Sequence, residues 1–326
     1  MEYLFAPMEG ITLSIYRKIH HKMFPGCSCY YTPFIAPDSN GGFKTKYLKD
    51  ITFDSSDVPL VPQLLVNNAA AFHATALKLN DIGFKEINLN LGCPSGTVFA
   101  KGKGAGLLQN PESLDEMLDA IFDLAEKTGY RVSVKTRMGV HSTGEFDRLL
   151  FIYQKYPLAR LIVHARARED FYKGKADMEG YASALKNYNG KVTYNGDIFC
   201  QGRIERLHRI APETDSVMIG RGAVANPALM RCLNGGAKLQ STELNDFHSL
   251  LIESWLSYGL SPRFTVERMK NYMVYMMEMF HAESKLKKMV FKAKTLDAYR
   301  AAVRDFFCHA DFDSDALEKV EDEFPS

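Results

Sequence analysis

The sequence lacks the features that define membrane, secreted and disulfide-rich proteins. It has no apolar run near the roughly 18 residues that a membrane-spanning helix needs. Its first residues, MEYLFAPMEG, have neither the basic start nor the apolar stretch of a secretion signal. Cysteine is scarce, with 6 in 326 residues and no C-x-x-C pair, so we expect free thiols and no zinc site. These absences predict a cytoplasmic protein without a structural metal.

An excess of charge of one sign is also missing. The 40 lysine and arginine residues nearly balance 39 aspartate and glutamate residues, which gives a formal net charge of +1. A polyanionic partner would therefore have to be bound by a local basic patch. Hydrophobic residues at 46% and charged residues at 24% are typical of a folded globular chain and exclude general disorder.

Short apolar segments alternate with helical segments over the first part of the chain. We predict strands at 3–8, 29–35, 59–65, 86–91, 131–136, 160–165, 191–196 and 216–220. Such a series of βα units is what a TIM (β/α)8 barrel requires. Helix ends are marked as well, because Asn110 followed by Pro111 is a typical helix start and Gly129 a typical helix end.

From residue 236 the apolar runs give way to amphipathic helices. A stripe of apolar residues with helical spacing is expected to face a core rather than a ligand. Its members are Val266, Met269, Met273, Met276 and Phe280. The expected fold class is α/β, a TIM barrel at 1–235 followed by a small C-terminal α-helical domain at 236–326.

Polar residues at the carboxyl ends of the strands are the candidate site, because TIM-barrel active sites lie there. Two strand ends read NGD at 195–197 and GRG at 220–222. Loops at these last two strands commonly bind phosphate, since glycine lets backbone N–H groups approach and Arg221 adds a charge. Each loop alone also makes an ordinary turn, but the pair favours a phosphorylated cofactor.

Three further side chains have a functional and a structural interpretation. Lys135 ends an apolar strand and needs an anionic partner, which is either a ligand or a neighbouring carboxylate. His164 also ends a strand, although a single histidine is more often part of a core. Cys93 lies in the polar loop GCPSG. A thiol is mostly protonated at neutral pH, since its ordinary pKa is about 8.5, and this favours a general acid.

Taken together, the motifs resemble the tRNA-dihydrouridine synthase family, FMN-dependent enzymes that reduce the C5–C6 double bond of uridine in RNA. The segments APMEGIT, VPQLL, NLNLGCPS, GKGAGLLQNP, VSVKTRMG, IVHARAR, YNGDI and VMIGRGAVANP occur in the family's order. The resemblance covers nearly the whole chain. It includes ERMKNYMVYM, which looks like the family's C-terminal RNA-binding domain.

The resemblance implies a set of site residues and a reaction. The residues expected to bind FMN are Pro7, Met8, Glu9, Gln63, Lys135, His164, Asn195, Gly196, Asp197, Gly220 and Arg221. NADPH would be the reductant, hydride would pass from flavin N5 to C6 of the uracil, and Cys93 would protonate C5. Asn90, Arg137 and Arg166 are expected to form the uracil pocket. The expected partner is tRNA, and the protein is expected to act as a monomer without a metal or a membrane.

A base in folded RNA must leave its stack to reach a barrel mouth, which costs a few kcal/mol. The lysines expected to contact the RNA backbone are Lys101, Lys103, Lys173, Lys175, Lys285, Lys287, Lys288, Lys292 and Lys294. Three residues differ from the family pattern. Ala165 and Ala167 replace a frequent glycine and hydroxyl, and Met178 replaces a frequent tryptophan.

Three other functions remain open. The chain could be a dihydroorotate-dehydrogenase-like reductase of a small pyrimidine, a dihydrouridine synthase acting on rRNA, or a non-enzymatic RNA-binding protein with a flavin-binding fold. The C-terminal helices argue against the first. The presence of Cys93, Lys135 and His164 together argues against the third.

Overall fold

A computed structural model describes residues 1–38, 42, 44–52 and 58–319. The chain forms two compact units. The barrel unit contains Met1–Pro7, Ser28–Gly196 and Ile204–Met218. The helical unit contains Met8–Cys27, Asp197–Arg203 and the chain from Ile219 onward. The predicted domain boundary at 235 and 236 stays a prediction.

The predicted TIM barrel is confirmed. The strands are β1 (Glu2–Phe5), β2 (Cys29–Tyr31), β3 (Leu60–Val61), β4 (Gln63–Leu64), β5 (Glu86–Leu91), β6 (Arg131–Arg137), β7 (Leu161–His164), β8 (Val192–Asn195), β9 (Ser216–Ile219), β10 (Phe280–His281) and β11 (Asp311–Phe312). In the described residues the first nine form one sheet in the order β3-β2-β1-β9-β8-β7-β6-β5-β4. The paired strands of this sheet run parallel to each other.

The two edges of this sheet meet at one proline. Strands β3 and β4 are separated only by Pro62, and together they occupy the segment predicted as the third strand. β3 pairs with β2, whereas β4 pairs with β5. Proline has no N–H to donate, yet its carbonyl still accepts a hydrogen bond from Asn88 N at 2.9 Å. The nine short strands therefore form eight barrel positions, and the sheet closes.

Helices alternate with the barrel strands and then dominate the rest of the chain. They are α1 (Ser14–Met23), α2 (Thr45–Thr52), α3 (Ala69–Asp81), α4 (Gly96–Phe99), α5 (Pro111–Thr128), α6 (Phe146–Tyr153), α7 (Met178–Asn187), α8 (Gln201–Ile210), α9 (Arg221–Ala225), α10 (Leu229–Leu233), α11 (Ser241–Ser257), α12 (Pro262–Met276), α13 (Ser284–Lys292) and α14 (Leu296–His309). The predicted limits of α5 are confirmed. The Asn110 side chain accepts a hydrogen bond from Ser113 N, and Gly129 ends the helix at φ +77°.

The barrel interior contains an apolar cluster below its polar end. Leu4, Tyr31, Val61, Ile162 and Met218 pack there, each at most 8% exposed. They come from β1, β2, β3, β7 and β9, whose alternate residues face inward. This cluster fills the barrel interior next to the carboxyl ends of the strands, so the polar residues at those ends are adjacent to a packed core.

The helical unit has its own core. All five members of the predicted apolar stripe from Val266 to Phe280 are buried, which confirms that they are core residues. Tyr16 of α1 packs edge-on against Phe247 of α11 and is tilted against Tyr272 of α12. The short antiparallel pair β10 and β11 was not predicted, and it joins Phe280 to Phe312. No described helix is long and apolar enough to cross a membrane.

Candidate active site

Five neighbouring strands of the barrel unit end in polar side chains on the inner face. The members of this set are Gln63, Asn90, Lys135, Arg137, His164 and Asn195, contributed by β4 to β8. The strand register pairs Asn90 with Lys135 and His164 with Asn195. Residues spread over 132 positions of the chain, from Gln63 to Asn195, are thereby brought to one end of the barrel. We call this end the barrel mouth.

A chain of amide hydrogen bonds runs along one side of the barrel mouth. Gln63 Nε2 donates to Asn88 Oδ1 at 2.8 Å, and Asn90 Nδ2 donates to Gln63 Oε1 at 2.6 Å. Asn88 in turn donates to Ser133 Oγ at 2.9 Å. Gln63 is only 1% exposed, so these bonds satisfy polar groups that would otherwise be buried without partners. The network fixes the orientation of the Asn90 amide.

Asn90 holds the loop that contains the candidate acid. Its Oδ1 accepts hydrogen bonds from Gly92 N at 3.0 Å and from Cys93 N at 2.9 Å. The carbonyl of Cys93 accepts a hydrogen bond from Ala105 N at 3.2 Å. Cys93 is partly exposed, which is unlike a cysteine packed in a core. We refer to residues 92–106 as the Cys93 loop.

Lys135 is a cation in a largely enclosed position. Its Nζ donates to Asn195 Oδ1 at 2.8 Å. Burial, followed by the nearby charge of Arg137, lowers the pKa of Lys135 from 10.5 to about 7, while Cys93 acts in the opposite direction. The interaction with Cys93 places the thiol within electrostatic reach of the ammonium. An anion beside Lys135 would raise its pKa again, so this position favours an anionic ligand group.

Arg137 is fully buried and is bound to backbone carbonyls. Its Nε donates to Gly92 O at 3.0 Å, its Nη1 to Ala167 O at 2.7 Å and its Nη2 to Phe171 O at 2.8 Å. Burial lowers its pKa to about 10. These bonds tie the Cys93 loop to the loop at 165–177, which we call the β7 loop. Arg137 therefore has a positioning role, and its contact with a uracil stays a prediction.

Arg166 has a similar arrangement inside the β7 loop. It is 1% exposed, and its guanidinium donates to the carbonyls of Lys173 and Gly174. These bonds close the β7 loop on itself. For Arg166, too, the structure shows a loop-holding role, and direct substrate contact stays a prediction.

One exposed aromatic residue at the barrel mouth was not predicted from the sequence. Tyr172 is 50% exposed, and its ring lies 6.1 Å from the His164 ring, centroid to centroid. The Arg137 guanidinium lies 5.7 Å from the same centroid. The signal was present in the letters FYKGK, two aromatic residues beside lysines in a loop after a strand. An exposed aromatic ring next to the His164 ring and the Arg137 guanidinium is suited to stacking on a planar ligand.

The helical unit contains five of the predicted cofactor residues, which are Met8, Glu9, Asp197, Gly220 and Arg221. Asp197 is left-handed at φ +42°, and its Oδ1 accepts a hydrogen bond from Arg221 Nη2 at 2.9 Å. Both side chains are largely buried, so the pair fixes the start of α9 relative to the Asp197 segment. Gly222 packs against the backbone of Ile198 and Phe199 with no room for a Cβ. A larger residue would push this turn apart.

Helix α12 holds the turn that contains Met8 and Glu9. Arg268 Nη1 donates to Gly10 O at 2.9 Å, and the Tyr272 hydroxyl donates to Ile11 O at 3.2 Å. Arg268 and Tyr272 are four residues apart and lie on one face of the helix. The Arg268 guanidinium also lies 4.5 Å from the Trp255 ring centroid. The turn with two predicted FMN residues is thus fixed from α12.

Most of the lysines expected to contact RNA are exposed. In the barrel unit Lys101, Lys173 and Lys175 are exposed and Lys103 is half-buried. In the helical unit Lys285, Lys288, Lys292 and Lys294 are exposed, and Lys287 is half-buried. Among the described residues there is no cluster of histidine, cysteine, aspartate or glutamate that could hold a metal ion.

The fold is that of a TIM-barrel protein with a polar mouth and a partly exposed cysteine. A solved structure of morphinone reductase is similar, with a TM-score of 0.51 and 15% identity, covering 72% of this chain and 86% of that one. A histamine dehydrogenase from Rhizobium sp. 4-9 has a TM-score of 0.53 and 11% identity, with 86% and 51% coverage. At such identities the likeness concerns the fold alone.

Sequence comparison is more specific. The model of the family "Dihydrouridine synthase (Dus)" matches residues 4–324. A probable tRNA-dihydrouridine synthase of Staphylococcus epidermidis is 31% identical over 237 residues, 69% of each chain. The probable tRNA-dihydrouridine synthase 2 of Bacillus subtilis is 27% identical over 314 residues, 93% of each chain. The chain belongs to the dihydrouridine synthase family, as its motifs predicted.

Proposed function

We propose that the protein reduces uridine in tRNA to dihydrouridine, with FMN as its cofactor and NADPH as the reductant. The observation that carries the proposal is the position of Cys93. Asn90 fixes its backbone at the barrel mouth, and the thiol lies within electrostatic reach of Lys135. We also propose that the protein is cytoplasmic and acts as a monomer.

The residues of the barrel mouth fit a flavin. Lys135 is an enclosed cation with its pKa lowered to about 7, and the electron-rich edge of a flavin ring would compensate its charge. Amide groups beside it can bind the polar edge of the ring. In the barrel unit the proposed FMN residues are Pro7, Gln63, Lys135, His164, Asn195 and Gly196. In the helical unit they are Met8, Glu9, Asp197, Gly220 and Arg221.

Each side chain then has a distinct task. FMN, when bound, supplies the hydride that adds to C6 of the uracil. Cys93 donates the proton to C5, the general-acid role that a thiol can fill. Asn90 keeps that thiol in position through the backbone of its loop. Tyr172, which the structure adds to the predicted set, is proposed to stack on the RNA base that enters the mouth.

The target uridine must leave its stack in the folded RNA, which costs free energy. Contacts between exposed lysines and the RNA backbone would offset that cost. Phosphate contacts from lysine are independent of sequence, so they position RNA without selecting a base. The lysines near the two mouth loops and those of α13 are proposed to form these contacts. Arg137 and Arg166 are proposed to act on the uracil chiefly by fixing the loops around it.

The test is to detect dihydrouridine by mass spectrometry after the flavin-loaded protein and NADPH are incubated with separated tRNA and rRNA that lack the modification. Dihydrouridine in tRNA is the expected result. Dihydrouridine in rRNA alone would make the protein an rRNA enzyme. If neither RNA is modified by a protein that binds FMN, the proposal is wrong and a reductase of a small pyrimidine becomes the better hypothesis.

A further inference from the structure

We infer that Arg168 is a positioning residue that holds the Cys93 loop in place through the ring of Phe99. The inference rests on the proposed role of Cys93 as the proton donor. The Arg168 guanidinium lies 4.1 Å from the centroid of Phe99 and 5.2 Å from that of Phe171. Phe99 is part of the Cys93 loop, and Phe171 is part of the β7 loop. One cation therefore lies between aromatic rings from both loops.

The Phe99 end of this contact is rigidly connected to Cys93. Phe99 ends α4, which begins three residues after the cysteine. Gly106 lies against the backbone of Phe99, where an added Cβ would come within 2.7 Å of its carbonyl oxygen. Gly104 likewise lies against Cys93, where an added Cβ would come within 2.9 Å of the Cys93 Cβ. A displacement of Phe99 would therefore be passed to Cys93 through close backbone packing.

The Phe171 end is held by bonds that do not involve the Arg168 side chain, including one from Phe171 N to Arg168 O at 3.1 Å. Phe171 adopts φ +50°, a left-handed conformation that is unusual for a bulky residue, and its carbonyl accepts a hydrogen bond from Arg137 Nη2. Arg168 itself is fixed through its backbone, since its N–H donates to Gly139 O at 2.9 Å. The β7 loop thus holds the backbone of Arg168 in a fixed position, from which the guanidinium reaches the two rings.

The side chain of Arg168 has no other use that the structure shows. In the described part of the chain its guanidinium makes no hydrogen bond and no ion pair, and its Nε is buried. The two rings are therefore its contacts. A planar guanidinium can stack on a ring face, whereas a lysine ammonium keeps the charge but not the plane.

The experiment compares Arg168→Gln, Arg168→Lys and the control Glu169→Gln in the flavin-loaded full chain. Glu169 is the neighbouring exposed residue, and it pairs with His141 rather than with either ring. The first measurement is the rate at which iodoacetamide alkylates Cys93, followed by peptide mass spectrometry. The second is kcat and KM for tRNA. Thermal unfolding confirms that each variant is folded.

For Arg168→Gln we expect kcat to fall about tenfold, KM to stay within twofold and Cys93 to be alkylated severalfold faster. Arg168→Lys should show smaller changes in both kcat and the alkylation rate. Phe99→Leu should reproduce the effect of Arg168→Gln, because it removes the other half of the contact. The control should behave as the unmodified protein does.

Two results would overturn the inference. Unchanged alkylation and kcat in Arg168→Gln would show that the rings do not hold the loop. A raised KM with an unchanged kcat would mean that Arg168 contacts the RNA instead. The alkylation rate does not depend on turnover. If the unmodified protein forms no dihydrouridine, the proposed function fails while the role of Arg168 is still tested.

Discussion

Cys93 illustrates how much of this site depends on the backbone around a single side chain. The thiol is presented by a loop whose N–H groups are bound by Asn90 and whose carbonyl is bound by Ala105. Such bonds fix the direction of the side chain without touching the sulfur. The orientation of the Cys93 side chain is therefore set by the backbone of its loop, which supports the proposed role as a proton donor.

Replacing Cys93 by alanine should abolish turnover while the flavin and the RNA still bind. Alanine removes the proton source but keeps the backbone N–H and carbonyl of residue 93, which bond to Asn90 Oδ1 and Ala105 N. Removal of a general acid typically lowers the rate by about 10²–10⁴-fold. Dihydrouridine formation, flavin absorbance and RNA affinity would be measured on the same preparation. Turnover equal to that of the unmodified protein would remove Cys93 from the mechanism.

Lys135 should make the stability of the cofactor-free protein depend on pH. Its pKa is about 7 when folded and 10.5 when unfolded, so the unfolded chain binds more protons between these values. Below pH 7 the enclosed charge destabilises the fold fully, and the effect disappears as pH rises toward 10.5. Lys135→Met should therefore be more stable than the unmodified protein near pH 6. Its advantage should shrink by at most about 1.4 kcal/mol per pH unit above pH 7.

The measurement is urea unfolding of both proteins from pH 6 to 9.5. A difference in unfolding free energy that does not change with pH would show that Lys135 titrates at its ordinary value. Added FMN should reduce the advantage of Lys135→Met, because hydrogen-bond acceptors on the edge of the flavin ring would stabilise the charged lysine.

The three differences from the family pattern act through packing rather than contact. Ala165, Ala167 and Met178 are 0%, 1% and 6% exposed. Ala167 also offers its carbonyl to Arg137, and Met178 begins α7 directly after the β7 loop. Any influence on substrate choice must pass through the shape of the β7 loop, since these side chains are not available to RNA.

At the scale of elements, the Cys93 loop and the β7 loop are built as one assembly. Arg137 bonds to carbonyls in both, and Arg168 contacts an aromatic ring in both. Strands β5 to β7 fix the roots of these loops in register. This organisation explains why polar residues that follow different strands lie at one place.

Gly104 and Gly102 provide a matched pair for testing the Cys93 loop. Both have positive φ, at +58° and +61°, so alanine strains either backbone by about 1–2 kcal/mol. At Gly104 the new Cβ would also meet the Cβ of Cys93, whereas at Gly102 it would enter open space. Gly104→Ala should lose most of its turnover and alter the rate of Cys93 alkylation. Gly102→Ala should lose only stability.

Kinetics and thermal unfolding of the two variants would distinguish the effect of backbone strain from that of a displaced Cys93. Equal losses of turnover would show that backbone strain alone matters. A normal alkylation rate in Gly104→Ala would contradict the close packing of Gly104 on Cys93.

At the scale of the molecule, the small net charge means that the proposed RNA binding has to be a local property. With +1 overall, attraction to RNA must come from clusters such as the exposed lysines of α13. Each phosphate contact contributes about 0.7–0.9 to the slope of log affinity against log salt concentration. The change in slope when a lysine cluster is mutated therefore measures the number of phosphate contacts that the cluster makes.

Lys288→Gln combined with Lys292→Gln should weaken tRNA binding and reduce this slope by about 1–2. The control is Lys127→Gln combined with Lys186→Gln, which removes the same charge from exposed positions on α5 and α7. Binding would be measured by fluorescence anisotropy between 50 and 200 mM salt, about the range where such slopes are resolved. Equal slopes for both double variants would exclude α13 from the RNA contacts.

The sequence by itself determined the fold class and the membership of the family. Alternating inner and outer residues define barrel strands, Asn110 and Gly129 define the ends of α5, and the ordered motifs identify the dihydrouridine synthase family. These features are local, because they depend on strand period, helix capping and the identity of short segments. They can be read without knowing which segments meet in space.

Only the tertiary structure decided which polar residues share a place and what each one binds. Asn90 and Arg137 were expected at a uracil, yet their hydrogen bonds go to the Cys93 loop and the β7 loop. Arg168 and Phe99 gained a role through a contact across 69 positions of the chain, and Tyr172 through a contact with Arg137 across 35. The physical reason is that a hydrogen bond or a ring contact depends on distance and angle, and sequence spacing fixes neither across a barrel.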